Sequence, residues 1–334
     1  MACSHIPLVD LHRHLEGSVR VETILDVARR FGVNLPTWDP DDLRAQAQII
    51  DSADHPIDLL EVLPKFAIAQ HLMVSYEACQ ALTLAVLEDA AREGIDYIEL
   101  RFSPLFMAEA HGLDPMGVAS AVCEAWQEAR NRLPIRSQLI GIMSRTYGPE
   151  ACRLELEAAI AHRERGIVAL DLAGDEGHFP AHLFVDHYRR ARAAGLHLTA
   201  HAGEFAGVDS VRQAVLELGV ERIGHGVHAI DDPAVLDLLA DRQVAIECCL
   251  TSNVQVAVVP GYREHPLPLF LARGLLATLN SDDPAISGID LSHEYRVAQE
   301  ELGLNEAQLY QLRRNGVQAA FLTPEERAAL LGEK

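Results

Sequence analysis

The sequence predicts an α/β fold, a closed (β/α)8 barrel of the TIM type with a helical insertion after its first strand. Three observations carry that prediction. Eight short apolar runs recur along the 334 residues. From the third onward, each begins roughly 20–40 residues after its predecessor, which leaves room for a strand, a turn and one helix. Polar side chains gather at the trailing ends of these runs, which in such a barrel form the rim where active sites lie. The rival architecture, an open doubly wound sheet, is weakened because no G-x-G-x-x-G follows an early strand.

The first run, LVDLHRHL (8–15), leads into Glu16, and in an extended chain His12, His14 and Glu16 would share one face. Val21, Ile24, Leu25 and Ala28 then form a helical apolar stripe that ends near Gly32. About 80 residues separate Glu16 from Tyr97, far more than one helix needs. Within them, residues 56–72 read as a mostly apolar helical stretch broken by Pro64. An insertion at the C-terminal end of a strand hangs over the barrel mouth, so residues of about 17–96 read as a lid, with Leu59, Leu63 and Phe66 as wall candidates. Extra helices packed for stability are the plainer account of the parts furthest from Glu16. The remaining strands are expected at 97–104, 137–144, 167–174, 197–204, 222–226, 244–253 and 276–284. Between the fifth and sixth, Val211, Ala214, Val215 and Leu218 keep helical spacing up to Gly219; after the sixth, Asp232 can cap a helix opened by Pro233. No linker or internal repeat divides the chain, so residues 1–334 read as one domain.

Composition narrows the partners. Lys+Arg of 28 against Asp+Glu of 49 gives a net charge of −21, which would repel nucleic acid and anionic membranes but not a small neutral ligand. No stretch is long and apolar enough to span a bilayer, and MACSHIPLVD lacks the pattern of a secretory signal. The six cysteines (Cys3, Cys79, Cys123, Cys152, Cys248, Cys249) show no CxxC spacing and read as reduced thiols, so the expected address is the cytoplasm. Cys248 and Cys249 are expected to pack, since adjacent residues cannot both face inward.

The polar rim is the informative part. His12, His14 and Glu16 end the first run, His201 and Glu204 the fifth, His225 the sixth, and Asp282 and Asp283 the eighth. Singly each has an ordinary explanation, a satisfied core histidine or a turn aspartate. Together, three neutral imidazoles and a carboxylate suit Zn²⁺ with one position left open for water. Structural zinc sites favour cysteine, and none is placed to help, which points to catalysis.

The strings HRHLEG, ELRFSP, IGIMSR, LDLAGDE, HAGE, RIGHG, LTSN, NSDDP and HEY occur in the order found in adenosine deaminases, and the chain resembles that family over essentially its whole length. The resemblance implies that His12, His14, His201 and Asp282 hold one Zn²⁺ per chain, with His14 also bordering the substrate. It implies that Glu204 is the proton donor, and that His225 orients or deprotonates the attacking water. Gly174 would offer a backbone donor to the purine, Asp283 would bind N7, and Glu16 would meet the ribose 5′-hydroxyl. The implied reaction converts adenosine and 2′-deoxyadenosine to inosine and 2′-deoxyinosine plus ammonia, in purine salvage. To hold a proton at neutral pH, Glu204 needs a pKa well above the usual carboxylate range, which burial would supply. Asp283 poses a similar demand, because N7 accepts hydrogen bonds.

Glu16 departs from the pattern, since these enzymes usually carry Asp there, and Glu resembles the related adenine deaminases. Adenine, or another 6-aminopurine nucleoside such as aminodeoxyfutalosine, is therefore the alternative substrate. AMP is disfavoured because no Lys or Arg cluster accompanies the rim motifs. A binuclear hydrolase is disfavoured because DLAGDE contains no bridging lysine.

Overall fold

A computed structural model describes residues 6–49 and 59–332. Eight strands, β1 (Val9–His14), β2 (Tyr97–Phe102), β3 (Arg136–Ser144), β4 (Ile167–Ala173), β5 (His197–Ala202), β6 (Arg222–His225), β7 (Ala245–Cys248) and β8 (Ala277–Leu279), pair in chain order. Every neighbouring pair is parallel. The sheet returns on itself just past β8. Arg13 bridges Asp282, with the His14 N–H donating to the Asp282 carbonyl at 2.9 Å and the Asp282 N–H to that of His12 at 2.8 Å. This is the expected (β/α)8 barrel.

Local signals set most boundaries. Helix Val21–Phe31 stops where Gly32 turns left-handed at φ 68°, a conformation that costs glycine nothing. Helix Pro233–Arg242 opens with Pro233 after Asp232, whose carboxylate accepts the Ala234 N–H at 2.9 Å. Three expectations need correction. The strand ends at His14, and Glu16 lies on a 3₁₀ turn (Glu16–Ser18), so simple alternation does not extend to it. Helix Leu59–His71 runs through Pro64, which removes one backbone bond without ending the helix. The seventh strand stops at Cys248, and Leu250–Gln255 is already helical.

The long insertion divides by role. Helix Tyr76–Arg92 buries Cys79, Leu82 and Val86 in the main core as an ordinary barrel helix. Phe66, on helix Leu59–His71, reaches the barrel mouth, whereas the side chains of Leu59 and Leu63 fall outside the described residues. Among the described residues, no helix is long and apolar enough to cross a membrane.

The barrel interior is charged, which apolar runs do not foretell. Arg101 donates to Asp171 at 2.8 Å and to Glu247 at 2.7 Å; Arg222 lies 2.5 Å from Glu99 and 2.6 Å from Glu247. All five are almost completely buried, so each charge depends on its partners. Phe321 closes the lower end. Its ring lies 3.6 Å from the Arg222 guanidinium, and its N–H donates to Glu99 at 2.6 Å.

Candidate active site

The C-terminal rim brings the sequence-selected residues together. His12 and His14 face inward from the end of β1, while Arg13 between them turns outward to Glu93 at 2.9 Å. His201 arrives from β5 and His225 from the last position of β6. Ring centroids of His12, His14 and His201 lie 4.6–5.3 Å apart, and His225 sits 4.8 Å from His12. Asp282 enters from the segment after β8, with Oδ1 3.3 Å from both His12 Nε2 and His14 Nε2.

Two of these turns are strained. His225 and Asp282 hold φ of 62° and 60°, left-handed values that cost a residue with a side chain about 1–2 kcal/mol. At Gly224 an added Cβ would lie 2.8 Å from His12 Cε1, so the strand leaves that space to the imidazole. At Gly17 a Cβ would lie 1.7 Å from Asp283 Oδ1, so the glycine of HLEG admits a carboxyl.

The donor set fits a divalent cation. His12 Nδ1 meets Glu247 at 2.7 Å and His201 Nδ1 meets Asp171 at 3.1 Å. Both carboxylates only accept, so each fixes the proton on Nδ1 and turns the Nε2 lone pair to the centre. There His14 Nε2 and His201 Nε2 stand 3.3 Å apart. His12 Nε2 is buried without a hydrogen-bond partner. Burial holds His14 and His201 below the ordinary imidazole range, hence neutral. At His12, burial and Arg101 push the same way, but Asp282 and Glu247 outweigh them and hold it above that range. The carboxylates of Glu247 and Asp282 thus favour positive charge at His12. His12, His14 and Asp282 each place a ligand atom within 4.8 Å of the others, as a shared ion requires. Cys249 is buried, as expected, and its Sγ lies within 4.8 Å of a ligand atom of His225 and of Asp282. Burial, with Asp282, pushes that thiol well up and keeps it a neutral, poor ligand.

Glu204 stands beside this cluster, with Oε2 3.6 Å from His225 Nε2, too long for a direct hydrogen bond. Burial raises its carboxyl well above the usual range, and the negative Asp282 and Glu176 raise it further. This is the environment the sequence reading required. Asp283 is likewise raised, by burial and then by Asp282 and Glu16, and its buried Oδ1 has no partner. Glu16 accepts the Ser103 N–H at 2.8 Å and is pushed up to about 7 by burial. His14, Glu16 and Gly174 line an otherwise largely apolar cavity walled by Phe66, Phe106 and Ile142.

Sequence reasoning missed three supporting carboxylates. Glu247 and Asp171 orient the imidazoles. Glu176 accepts four successive backbone N–H groups, from Gly203 (2.6 Å), Glu204 (3.2 Å), Phe205 (3.0 Å) and Ala206 (3.1 Å). The signal was available, since Glu176 closes LDLAGDE and Asp171 opens its polar part, but spacing alone gives neither a partner.

The chain is similar to known proteins over nearly its whole length. The family model described as adenosine deaminase matches residues 7–333. An adenosine deaminase of Klebsiella pneumoniae is 49% identical over 331 residues, covering 99% of this chain and 98% of that one. Among solved structures, adenine deaminase from Arthrobacter aurescens superposes with a TM-score of 0.87 at 28% identity, covering 98% of both chains. An amidohydrolase from Burkholderia ambifaria with bound Zn gives 0.83 at 25% identity, over 98% of this chain and 91% of that one. With a matching model across the whole barrel and near-half identity to a full-length relative, the chain belongs to the adenosine deaminase family.

Proposed function

We infer that the chain catalyses the hydrolytic deamination of adenosine and 2′-deoxyadenosine, yielding inosine or 2′-deoxyinosine and ammonia. The observation that carries this reading is the pairing of a metal-competent cluster with a buried carboxyl, Glu204, held in its protonated range beside it. His12, His14, His201 and Asp282 would hold one Zn²⁺, a choice supported by the nitrogen and oxygen donor set and by the zinc in the Burkholderia ambifaria relative. Bound by these residues, zinc would give a water molecule hydroxide character at neutral pH.

The chain's own residues do the rest. Carbon C6 of the purine is a poor electrophile until the ring is protonated. Glu204 donates its proton to N1 as oxygen bonds to C6, so charge does not accumulate on the ring. Asp283, protonated by its surroundings, donates to N7 and fixes the ring plane. The Gly174 N–H meets the purine edge, and Glu16 meets the ribose. Phe66 and Phe106, edge to face at 6.4 Å, keep water from the bound base. The ionised Glu204 carboxylate then passes the proton of the new C6 hydroxyl to the amino group, so that the C6–N bond breaks with ammonia as the leaving group, the oxygen remains as the product carbonyl, and the other proton of the water restores Glu204. The same reading takes residues 1–334 as one domain, treats the helix bearing Phe66 as part of a lid, and places the enzyme in the cytoplasm with a purine nucleoside as its partner.

One observation favours a second reading. Glu16 stands where the family usually has Asp, and the Arthrobacter aurescens neighbour is an adenine deaminase. A panel of adenosine, 2′-deoxyadenosine, adenine and N9-modified analogues decides between them, followed by the adenine-to-hypoxanthine absorbance change with and without chelator. Faster turnover of adenine than of adenosine would overturn the nucleoside assignment. Metal analysis of the active chain should give one zinc per chain.

A further inference from the structure

His225 differs from the imidazoles beside it in what holds its outer nitrogen. Glu247 and Asp171, both acceptors, meet Nδ1 of His12 and His201. Nδ1 of His225 instead meets Nδ2 of Asn253 at 3.0 Å. The chain of contacts continues. Asn253 Oδ1 lies 3.2 Å from His265 Nε2, and His265 Nδ1 lies 3.1 Å from the backbone N–H of Leu267. His225, Asn253 and His265 are all buried.

The polarity of this chain follows by elimination from its far end. The Leu267 N–H can only donate, so His265 Nδ1 carries a lone pair. Burial pushes His265 down to about 3, so the ring is neutral and has a single N–H. That proton sits on Nε2 and donates to the Asn253 carbonyl oxygen. The Asn253 amide must then offer its NH₂ to His225 Nδ1, which accepts. His225 is left with its proton on Nε2, the atom that faces Glu204 Oε2 at 3.6 Å and Asp282 Oδ2 at 3.9 Å.

We propose that Asn253 and His265 are positioning residues that lock His225 in its Nε2–H form, so that it grips the attacking oxygen as a hydrogen-bond donor and cannot take its proton. This deepens the deaminase reading and rests on it for the identity of that oxygen. It also explains why only three of the four imidazoles would ligate a cation. His12, His201 and His225 are close enough to share an ion. An Nε2–H, however, has no lone pair to give. The identity of the group behind His12, His201 and His225, acceptor or donor, sorts ligand from donor among these three rings.

The test uses the zinc-loaded full chain labelled with ¹⁵N-histidine, with His225→Asn as the blank that assigns the His225 ring. The wild-type spectrum should show His225 protonated at Nε2 and bare at Nδ1; the reverse overturns the proposal. Asn253→Asp is nearly isosteric but can only accept, so the His225 proton should move to Nδ1. With the donor lost, kcat should fall by about 10–100-fold, toward the low end seen when an active-site donor is removed, and KM should change little. A folded Asn253→Asp enzyme with wild-type kcat or an unmoved ring proton refutes the lock. A purely structural role would lower Tm and leave the ring spectrum as it was. Should that variant not fold, His265→Leu frees the Asn253 amide to rotate, and a mixed tautomer with lowered kcat is expected. Wild-type turnover of adenosine with an Nδ1–H ring would sink the lock alone. An Nε2–H ring without turnover would support the lock and sink the function.

Discussion

Glu176→Gln tests how the proton donor is held. In the wild type, Oε1 accepts the Gly203 N–H, and Oε2 accepts those of Glu204, Phe205 and Ala206. A glutamine can keep its carbonyl toward the latter group, but its NH₂ then faces the Gly203 N–H, donor against donor. One charge-assisted bond is lost, worth about 1.5–3 kcal/mol, and the others weaken as the charge disappears. For a chain of this size, Tm should fall by about 2–6 °C. The loop carrying Glu204 is then free to shift, and a displacement of about 1 Å in a reacting group can cost 10²-fold in rate. A second consequence is electrical. The negative Glu176 helps to raise the Glu204 carboxyl, so its neutralisation lowers that pKa. Glu204 must be protonated to donate, so activity is lost as pH rises through its pKa, and the alkaline limb of kcat/KM should move to lower pH in the variant. Steady-state deamination across pH, with calorimetry on the same samples, measures all three. An unshifted alkaline limb together with kcat/KM within twofold of wild type would refute this account of Glu176.

Further expectations follow from neighbouring contacts. Glu204→Gln should reduce kcat by about 10²–10⁴-fold while zinc content is kept. Glutamine resembles the protonated carboxyl that burial favours, and the wild type loses stability as pH rises and this group must ionise. The variant should therefore melt no lower than wild type, with the gap in its favour widening at alkaline pH. Glu247→Gln weakens the hold on His12 Nδ1 and removes a charge that Arg101 and Arg222 share. Metal affinity should drop about 10–100-fold, and stability by about 3–5 kcal/mol, measured by chelator competition and denaturant unfolding. Gly17→Ala drives a methyl into Asp283 Oδ1, so it should cost about 1–3 kcal/mol of stability and lower kcat/KM more for adenosine than for a purine analogue lacking N7.

The features legible in the chain alone are local ones. Strands read out as apolar runs, and helix ends as Gly32, Gly219 and the Asp232–Pro233 pair, because each signal lies within a few residues of its effect. The rim residues were legible for the same reason. HRH, HAGE, GHG and DDP put polar groups where strands finish, and family resemblance suggested their roles. What surrounds those residues was not legible. His12 meets Glu247 across 235 positions and Arg101 meets Glu247 across 146, contacts that exist only because the sheet closes. The four N–H bonds on Glu176, the reversed proton of His225 and the strained turns at His225 and Asp282 likewise come from tertiary packing. A sequence names the donors and acceptors, but only the closed barrel decides which of them face each other in a place that water cannot reach. In that place each partner's identity sets where the protons sit, and so which groups can bind a cation, give a proton or hold a nucleophile.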